Sequence, residues 1–318
     1  MDEPAPEGAG RSLLTSGTQP AAAVTQRPLL HPYLGLAAAT VAVSFAAIFI
    51  RVATAPPLVT ATCRMALTVL LLLPLLAARR AALTTLSRRD HMLVVGAGIL
   101  LALHFATWTV SLFYTSVASS VLFVSVHPML VAALAWVLFG EAPRPRVLLG
   151  IGLSVAGSAI IAGGDVRLGG WALAGDGLAF AGAAVFAVYL LIGRRVRQRL
   201  DPLTYSAPVY LVCALTLAAI TVAVRQPFAP LTLHNLALFL ALALVCTLGG
   251  HLVYNWSLRY LDAAVVSVSF LGEPVLASGL AWLFLGQPVH PLTALGGAVV
   301  LAGIYLVASS QQPVASCS

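Results

Sequence analysis

Residues 127–141 read HPMLVAALAWVLFGE, and residues 273–287 read EPVLASGLAWLFLGQ. The two stretches align without a gap, with the proline, the tryptophan and the glycine in matching positions. The same register continues downstream in three further pairs, which are Pro145 with Pro291, Gly150 with Gly296, and Gly157 with Gly303. An internal repeat of this kind in an apolar chain predicts two structural halves with a site between them.

The composition indicates an integral membrane protein. The chain has 318 residues, of which 60% are hydrophobic and 8% are charged, whereas a soluble domain carries about 25% charged residues. The net charge of +7 comes from arginine alone, since the sequence has no lysine. Most of these arginines lie in short loops between apolar runs, which is typical of membrane topology rather than of nucleic-acid binding. The four cysteines have no metal-site spacing, so we expect neither a metal nor a cofactor.

Ten apolar runs are candidates for bilayer spans, each of which needs about 20 residues. They lie near residues 33–52, 58–77, 92–113, 117–139, 147–163, 171–192, 203–224, 234–257, 263–285 and 292–308. The repeated stretches fall in spans four and nine, so spans one to five form one half and spans six to ten the other. Because five is odd, the second half must enter the membrane upside-down. The predicted fold is all-α, with ten transmembrane helices in two inverted five-helix repeats.

The distribution of arginine predicts that both termini are cytoplasmic. With the N-terminus inside, the loops after spans two, four and six place their arginines in the cytoplasm, and Arg51, Arg167 and Arg225 lie outside. We expect the plasma membrane, of the bacterial inner-membrane type, as the location. The expected segments are a disordered cytoplasmic tail (1–31), two five-helix halves (32–165 and 166–309) and a second cytoplasmic tail (310–318).

Several residues match the pattern of a known family. They are Arg64 in span two, Pro128 with Gly140-Glu141 in span four, Gly175-Asp176 at the start of span six, and Glu273-Pro274 with Gly286 in span nine. With the span count, they resemble the drug/metabolite transporter superfamily, and most closely its EamA-type exporters. The resemblance implies secondary transport of small metabolites, often export of amino acids. Gln287, where an acid is usual, and His127, where an apolar residue is usual, depart from the family pattern.

Two ionisable residues occupy equivalent places in the repeat. Glu273 lies roughly 15 Å into span nine at 1.5 Å per residue, where an acid normally faces a cavity or a partner. It is a candidate proton or substrate group, or else a carboxyl that satisfies backbone groups freed by Pro274. His127 is either a second coupling group or a neutral histidine packed between helices. Pro128 and Pro274 each remove a backbone donor, which predicts a kink.

Spans three and eight each combine histidine with an aromatic residue. His104 and Trp108 are four residues apart and share a helical face, as do His251, Tyr254 and Asn255. These groups would suit a small polar or zwitterionic substrate. Interhelical hydrogen bonding and packing are the alternative.

Three further positions stand out within the spans. Phe45 and Tyr189 are candidate substrate contacts, with packing as the alternative interpretation. Arg64 lies roughly 10 Å deep in span two, where it either snorkels outward or pairs with an acid. Its match to the family pattern favours a structural role for Arg64.

The motifs favour a secondary transporter over other membrane functions. The chain has no nucleotide-binding loop and none of the metal, diphosphate or serine motifs of intramembrane enzymes. We therefore expect a non-enzyme that uses a gradient, with protons as the coupling ion. A passive facilitator or channel for small solutes is the alternative. The expected partners are a small-molecule metabolite and the lipid bilayer.

Overall fold

The computed structural model describes residues 31–78, 86–139, 144–166, 170–197, 202–257, 269–270 and 272–309. Within these ranges the secondary structure is helical, and they contain no strand. The elements are α1 (Pro32–Ser44), α2 (Ala46–Val52), α3 (Pro57–Ala78), α4 (Arg88–Ser111), α5 (Val117–Val124), α6 (His127–Phe139), α7 (Pro145–Val166), α8 (Gly170–Arg197), α9 (Pro202–Ala223), α10 (Leu233–Ala241), a π-helical segment (Leu242–Leu252), α11 (Val253–Ser257), α12 (Gly272–Leu285) and α13 (Pro291–Ser309).

Eight helical stretches in the described ranges are long and apolar enough to cross a membrane. They are Pro32–Val52, Pro57–Ala78, Arg88–Ser111, Val117–Leu138, Pro145–Gly163, Gly170–Gly193, Thr204–Ala223 and Leu233–Leu252. Two shorter apolar helices follow, Gly272–Leu285 and Pro291–Leu306. The prediction of an all-helical membrane protein is confirmed. The number of ten membrane crossings stays a prediction.

Local sequence determines where many of these helices begin. Proline is the first residue of α1, α3, α7, α9 and α13, a position where its missing N–H has no intrahelical partner to lose. Three other helices, α4, α5 and α10, begin at a hydroxyl cap. Ser87, Ser116 and Thr232 each accept a hydrogen bond from the backbone N–H three residues further on.

Two of the spans contain a break, and a third contains a π-helical segment. α1 gives way to α2 at Phe45, α5 gives way to α6 at Ser125 and Val126, and the π-helical segment follows α10 directly. Such irregular turns inside membrane helices are common next to functional sites. Pro128 and Pro274 lie in the first turns of α6 and α12, where a missing N–H is tolerated. Kinks at these two prolines stay predictions.

The most extensive helix packing joins α7 and α13 through glycine. A Cβ atom added to Gly157 would lie 2.6 Å from the carbonyl oxygen of Gly296, and a Cβ added to Gly296 would lie 2.6 Å from that of Gly157. Gly303 approaches the carbonyl oxygen of Gly150 in the same way. Since residue numbers rise along one helix as they fall along the other, α7 and α13 are antiparallel. Only residues without a side chain allow backbones this close.

Other contacts arrange helices around the centre of the bundle. α4 packs along α8, where Gly182 lies against Thr107 and the backbone of His104. Asp176 near the start of α8 is buried and accepts a 2.9 Å hydrogen bond from the hydroxyl of Thr115. α9 packs against both α3 and α4, and the π-helical segment packs against α1 and α3. These contacts define how the helices around the centre pack in this conformation.

Amide side chains join neighbouring helices at one end of the bundle. Gln287 at the end of α12 accepts a 3.3 Å hydrogen bond from the backbone N–H of Val117, so this departure from the family pattern holds α12 against α5. Under the predicted orientation, this end lies on the outer side of the membrane. Two further bonds at the same end run from the backbone N–H of Thr54 to Asn235 (3.0 Å) and from that of Leu58 to Gln226 (3.3 Å).

Gly157→Ala should destabilise the protein by about 1–3 kcal/mol, the usual cost of overpacking, because the added methyl meets the backbone of α13. The control is Gly152→Ala on the same helix, where an added Cβ meets nothing within 4 Å. That change should be neutral or slightly stabilising, since alanine favours helix. Thermal unfolding in detergent measures both. Equal melting temperatures for the two variants would contradict the close crossing.

Candidate functional site

The guanidinium of Arg64 lies at the centre of the site. Arg64 is 1% exposed, so it does not snorkel out of the bundle, as one interpretation of the sequence had it. Its Nε donates a 2.9 Å hydrogen bond to the hydroxyl of Thr247 in the π-helical segment. Its Cζ lies 4.6 Å from the ring centroid of Phe105 on α4, a cation–π distance. Arg64 thus joins α3 to two other elements.

The two terminal nitrogens of Arg64 are buried and have no hydrogen-bond partner among the described residues. Arginine stays protonated in proteins, and a charge inside a membrane bundle persists where it pairs or meets water or a ligand. No carboxylate in the described part of the chain forms an ion pair with Arg64. The site therefore has an electropositive centre with donor capacity to spare.

Glu273 supplies the opposite charge at a distance. It lies in the first turn of α12, is half-buried, and interacts electrostatically with Arg64 without touching it. Tyr254 and Cys246 also lie within electrostatic range of this carboxyl group. No described residue donates a hydrogen bond to its carboxylate. Within the described ranges, Glu273 does not use its oxygens to satisfy backbone groups near Pro274.

Two histidines have their rings oriented by backbone carbonyls. Nδ1 of His104 lies 3.0 Å from the carbonyl oxygen of Gly182, and Nδ1 of His127 lies 3.1 Å from that of Val124. Because a carbonyl only accepts, Nδ1 is the protonated nitrogen in both rings and Nε2 is left as an acceptor in the neutral form. The ring of Phe186 lies against both, at centroid distances of 4.5 and 5.0 Å.

His251 belongs to the same group of side chains. Its ring lies edge-on to Phe105 at 6.5 Å. It interacts electrostatically with Arg64, His104 and His127. The structure therefore brings all three predicted histidines to one place, around an arginine that was not predicted to belong there. The described residues contain no cluster of three or more His, Cys, Asp or Glu side chains arranged to hold a metal ion.

Trp108 and Tyr254 differ in how well their polar atoms are satisfied. Trp108 is buried and nearly parallel to His104 at 6.2 Å, and its indole N–H has no partner among the described residues. Tyr254 donates a 2.8 Å hydrogen bond to the hydroxyl of Thr40 on α1 and stacks on Phe270 at 4.1 Å. Tyr254 thus ties α11 to α1, which favours the packing interpretation for this residue.

The remaining predicted contacts are spread around the site. Phe45 stacks on Phe49 at the break between α1 and α2, at 5.6 Å. Tyr189 is buried and stacks on Phe186 at 5.3 Å, so it supports the ring that contacts two histidines. The side chain of Asn255 lies outside the part of the chain that the structure describes.

A model of the EamA-like transporter family matches residues 31–163 and 173–309. The chain belongs to the EamA-like transporter family. The match occurs in two copies that together cover most of the chain. The resemblance predicted from the sequence is confirmed, and the protein is a multi-pass membrane transporter.

Proteins with similar sequences are also named as transporters. The chain is 27% identical over 203 residues to an uncharacterized transporter of Archaeoglobus fulgidus, covering 62% of this chain and 69% of that one. It is 25% identical over 207 residues to the uncharacterized transporter YwfM of Bacillus subtilis, covering 63% and 69%. One solved structure, described as the crystal structure of a protein, has a TM-score of 0.60 at 20% identity and covers 86% of this chain and 95% of its own. That structural likeness shows a shared fold.

Sequence reasoning missed several members of the site in this EamA-like protein. The structural role expected for Arg64 stays a prediction, and a charged residue inside a span is also a signal of function. Phe105 and Thr247 have no such signal, because apolar and hydroxyl residues are common in membrane helices. Their importance depends on α4 and the π-helical segment meeting at Arg64, a tertiary contact that no local pattern reveals.

Thr247→Val should destabilise the protein by about 2 kcal/mol, since it removes the acceptor of a charge-assisted hydrogen bond inside the bundle. The control is Thr68→Val on α3, whose hydroxyl donates only to the backbone carbonyl of Arg64 in its own helix. That variant should lie within about 1 kcal/mol of the parent. Thermal unfolding in detergent makes the comparison. A Thr247→Val protein as stable as Thr68→Val would argue against the Arg64–Thr247 bond.

Proposed function

We propose that this EamA-like protein is a secondary active transporter that exports amino acids or other small metabolites by alternating access, coupled to protons. The observation that carries the proposal is the gathering of Arg64, His104, His127, His251 and Glu273 inside an apolar helical bundle. Ionisable groups are expensive within a membrane and are retained chiefly along substrate and ion pathways. The family match supports transport as the general activity.

Two inverted halves are part of the proposal. The pairs Gly150–Gly303 and Gly157–Gly296 support this arrangement, because the repeat equates Gly150 with Gly296 and Gly157 with Gly303. Exchanging the halves converts one contact into the other, as a two-fold interface requires. A two-fold axis that relates antiparallel helices is perpendicular to them, and therefore lies in the membrane plane. The two matched stretches of the family model, 31–163 and 173–309, support the proposed halves at 32–165 and 166–309.

Alternating access requires that one end of the bundle open while the other closes. The amide contacts of Gln287, Gln226 and Asn235 hold the helix ends together on the proposed outer side. The breaks at Phe45 and at Ser125 and Val126 divide two spans into shorter helices, which would allow the two parts of each span to move separately. These features support rocking of the halves about a central site.

Glu273 is the proposed proton-coupling group. The groups within electrostatic range of it are Arg64 on α3, Cys246 in the π-helical segment and Tyr254 on α11. A carboxyl group in this position can carry a negative charge while the solute is bound and take up a proton after the solute has left. The coupling would then consist of a proton bound in one state and released in the other.

Glu273→Gln should weaken but not abolish solute exchange, and should lose the response to a pH gradient, because the amide cannot release a proton. The assay is counterflow of a panel of radiolabelled L-amino acids in proteoliposomes, followed by uptake with and without an imposed pH gradient. Asp90→Asn is the matched control, since Asp90 lies in the first turn of α4, away from the site. It should behave like the parent protein.

The two parts of this proposal fail in different ways. A Glu273→Gln protein with full pH-gradient-driven uptake would remove Glu273 from coupling and leave transport intact. Flux that is saturable but never accumulates against a gradient would favour a passive facilitator. Absence of saturable flux for every amino acid and small cationic compound tested, with folded protein, would contradict the transport proposal itself.

The proposed location is the plasma membrane, with both termini in the cytoplasm. Green fluorescent protein fused after Ser309 should fluoresce in bacterial cells, and alkaline phosphatase at the same point should be inactive, because the phosphatase folds only outside the cytoplasm. A fusion in the loop between α9 and α10 should give the reverse pattern. Active phosphatase after Ser309 would contradict the proposed orientation.

A further inference from the structure

We propose that the guanidinium of Arg64 binds the carboxylate of the transported solute. This inference rests on the proposed transport function, because it names the recognition group of the same site. It starts from a permanent positive charge that is 1% exposed and whose two terminal nitrogens have no partner among the described residues. A group that neutralises this charge in one state of the transport cycle also lowers the cost of keeping it in the bundle.

The contacts of Arg64 leave one particular edge of the guanidinium for a ligand. Nε is engaged by the hydroxyl of Thr247 at 2.9 Å, and the ring of Phe105 lies 4.6 Å from Cζ. The edge formed by Nη1 and Nη2 remains. It offers two parallel N–H donors, which match the two oxygens of a carboxylate in a bidentate pair. Thr247 and Phe105 hold the fork in place and so reduce the entropy lost on binding.

The charge of the site favours a carboxylate over a phosphate. Arg64 is the one arginine that the described residues place in this group of side chains, and the sequence has no lysine. A single guanidinium neutralises a monocarboxylate, whereas a phosphate dianion would bring a second negative charge into the bundle beside Glu273. Dianionic solutes should therefore bind poorly.

Glu273 suits the other end of the same solute. It interacts electrostatically with Arg64 but forms no ion pair with it, so each charge is left to attract a ligand group of opposite sign. An α-amino acid presents a carboxylate and an ammonium group together. The rings of Phe186 and Phe270, edge-on to His127 at 5.0 and 5.9 Å, provide apolar surface for its side chain.

Four compounds with the same phenyl ring separate the contributions of the two charges. They are L-phenylalanine, 3-phenylpropanoate without the amine, phenethylamine without the carboxylate, and L-phenylalanine methyl ester with the carboxylate masked. Binding to the purified full-length protein in detergent is measured by the shift in thermal unfolding temperature over a concentration series. We expect L-phenylalanine to bind best and 3-phenylpropanoate to bind more weakly but measurably. The amine and the ester should produce no saturable shift.

Two substitutions of Arg64 then test the assignment to this residue. Arg64→Gln should weaken L-phenylalanine binding by about tenfold or more, because both charge-assisted bonds are lost. Arg64→Lys keeps the positive charge but not the pair of parallel N–H donors, so its affinity for L-phenylalanine should be intermediate. Arg51→Gln is the matched control, since Arg51 lies at the outer end of a span, away from the site. Its guanidinium donates to the carbonyl oxygen of Leu112 at 2.8 Å and lies 5.6 Å from the ring centroid of Phe113. This variant should bind like the parent.

The outcomes distinguish this inference from the transport proposal. Phenethylamine or the ester binding as tightly as L-phenylalanine would overturn the inference, as would full binding by Arg64→Gln. A folded parent protein that binds neither carboxylate would overturn it too, while saturable flux of a cationic solute would leave the transport proposal standing. Carboxylate binding that depends on Arg64, without flux in proteoliposomes, would uphold the inference and contradict the transport proposal.

Discussion

The site depends on the buried guanidinium of Arg64, which no carboxylate of the described residues contacts. Arg64 is held by Thr247 and Phe105, and its electrostatic influence extends to Glu273, His104 and His251. Burying an unpaired charge costs several kcal/mol, which the helix packing must outweigh. A structural arginine would be expected to pair with the nearby acid. The separation of the two charges supports the proposal that the centre of the bundle binds a solute rather than holding a closed ion pair.

Close contacts between helices stabilise the fold and offset the free-energy cost of burying this charge. Glycines of α7 and α13 bring two backbones together away from the site, and Gly182 does the same for α8 and α4 beside His104. With these contacts in place, irregular backbone can be accommodated in the π-helical segment that presents Thr247. The glycine crossings thus bring helices close together, while the interrupted spans carry His127, Thr247 and His251.

The sequence predicted the helical membrane class and the family, because hydropathy and the repeat are properties of the chain itself. It also brought His104, His127, His251 and Glu273 forward as candidates, and the structure places them around one centre. The structural role expected for Arg64 stays a prediction. The inward direction of its side chain could not be predicted, since depth along a span does not reveal whether a long side chain points outward or inward. Phe105 and Thr247 could not be predicted, because their role exists only where three separate helices meet.

The most direct test of the account is a structure of the protein bound to bromine-labelled L-phenylalanine, in which anomalous scattering locates the bromine and the map locates the carboxylate. The account predicts that the carboxylate lies within hydrogen-bond distance of Nη1 and Nη2 of Arg64. The bromine should lie against the rings of Phe186 and Phe270. A ligand bound elsewhere, with Arg64 in a direct ion pair with Glu273, would contradict it.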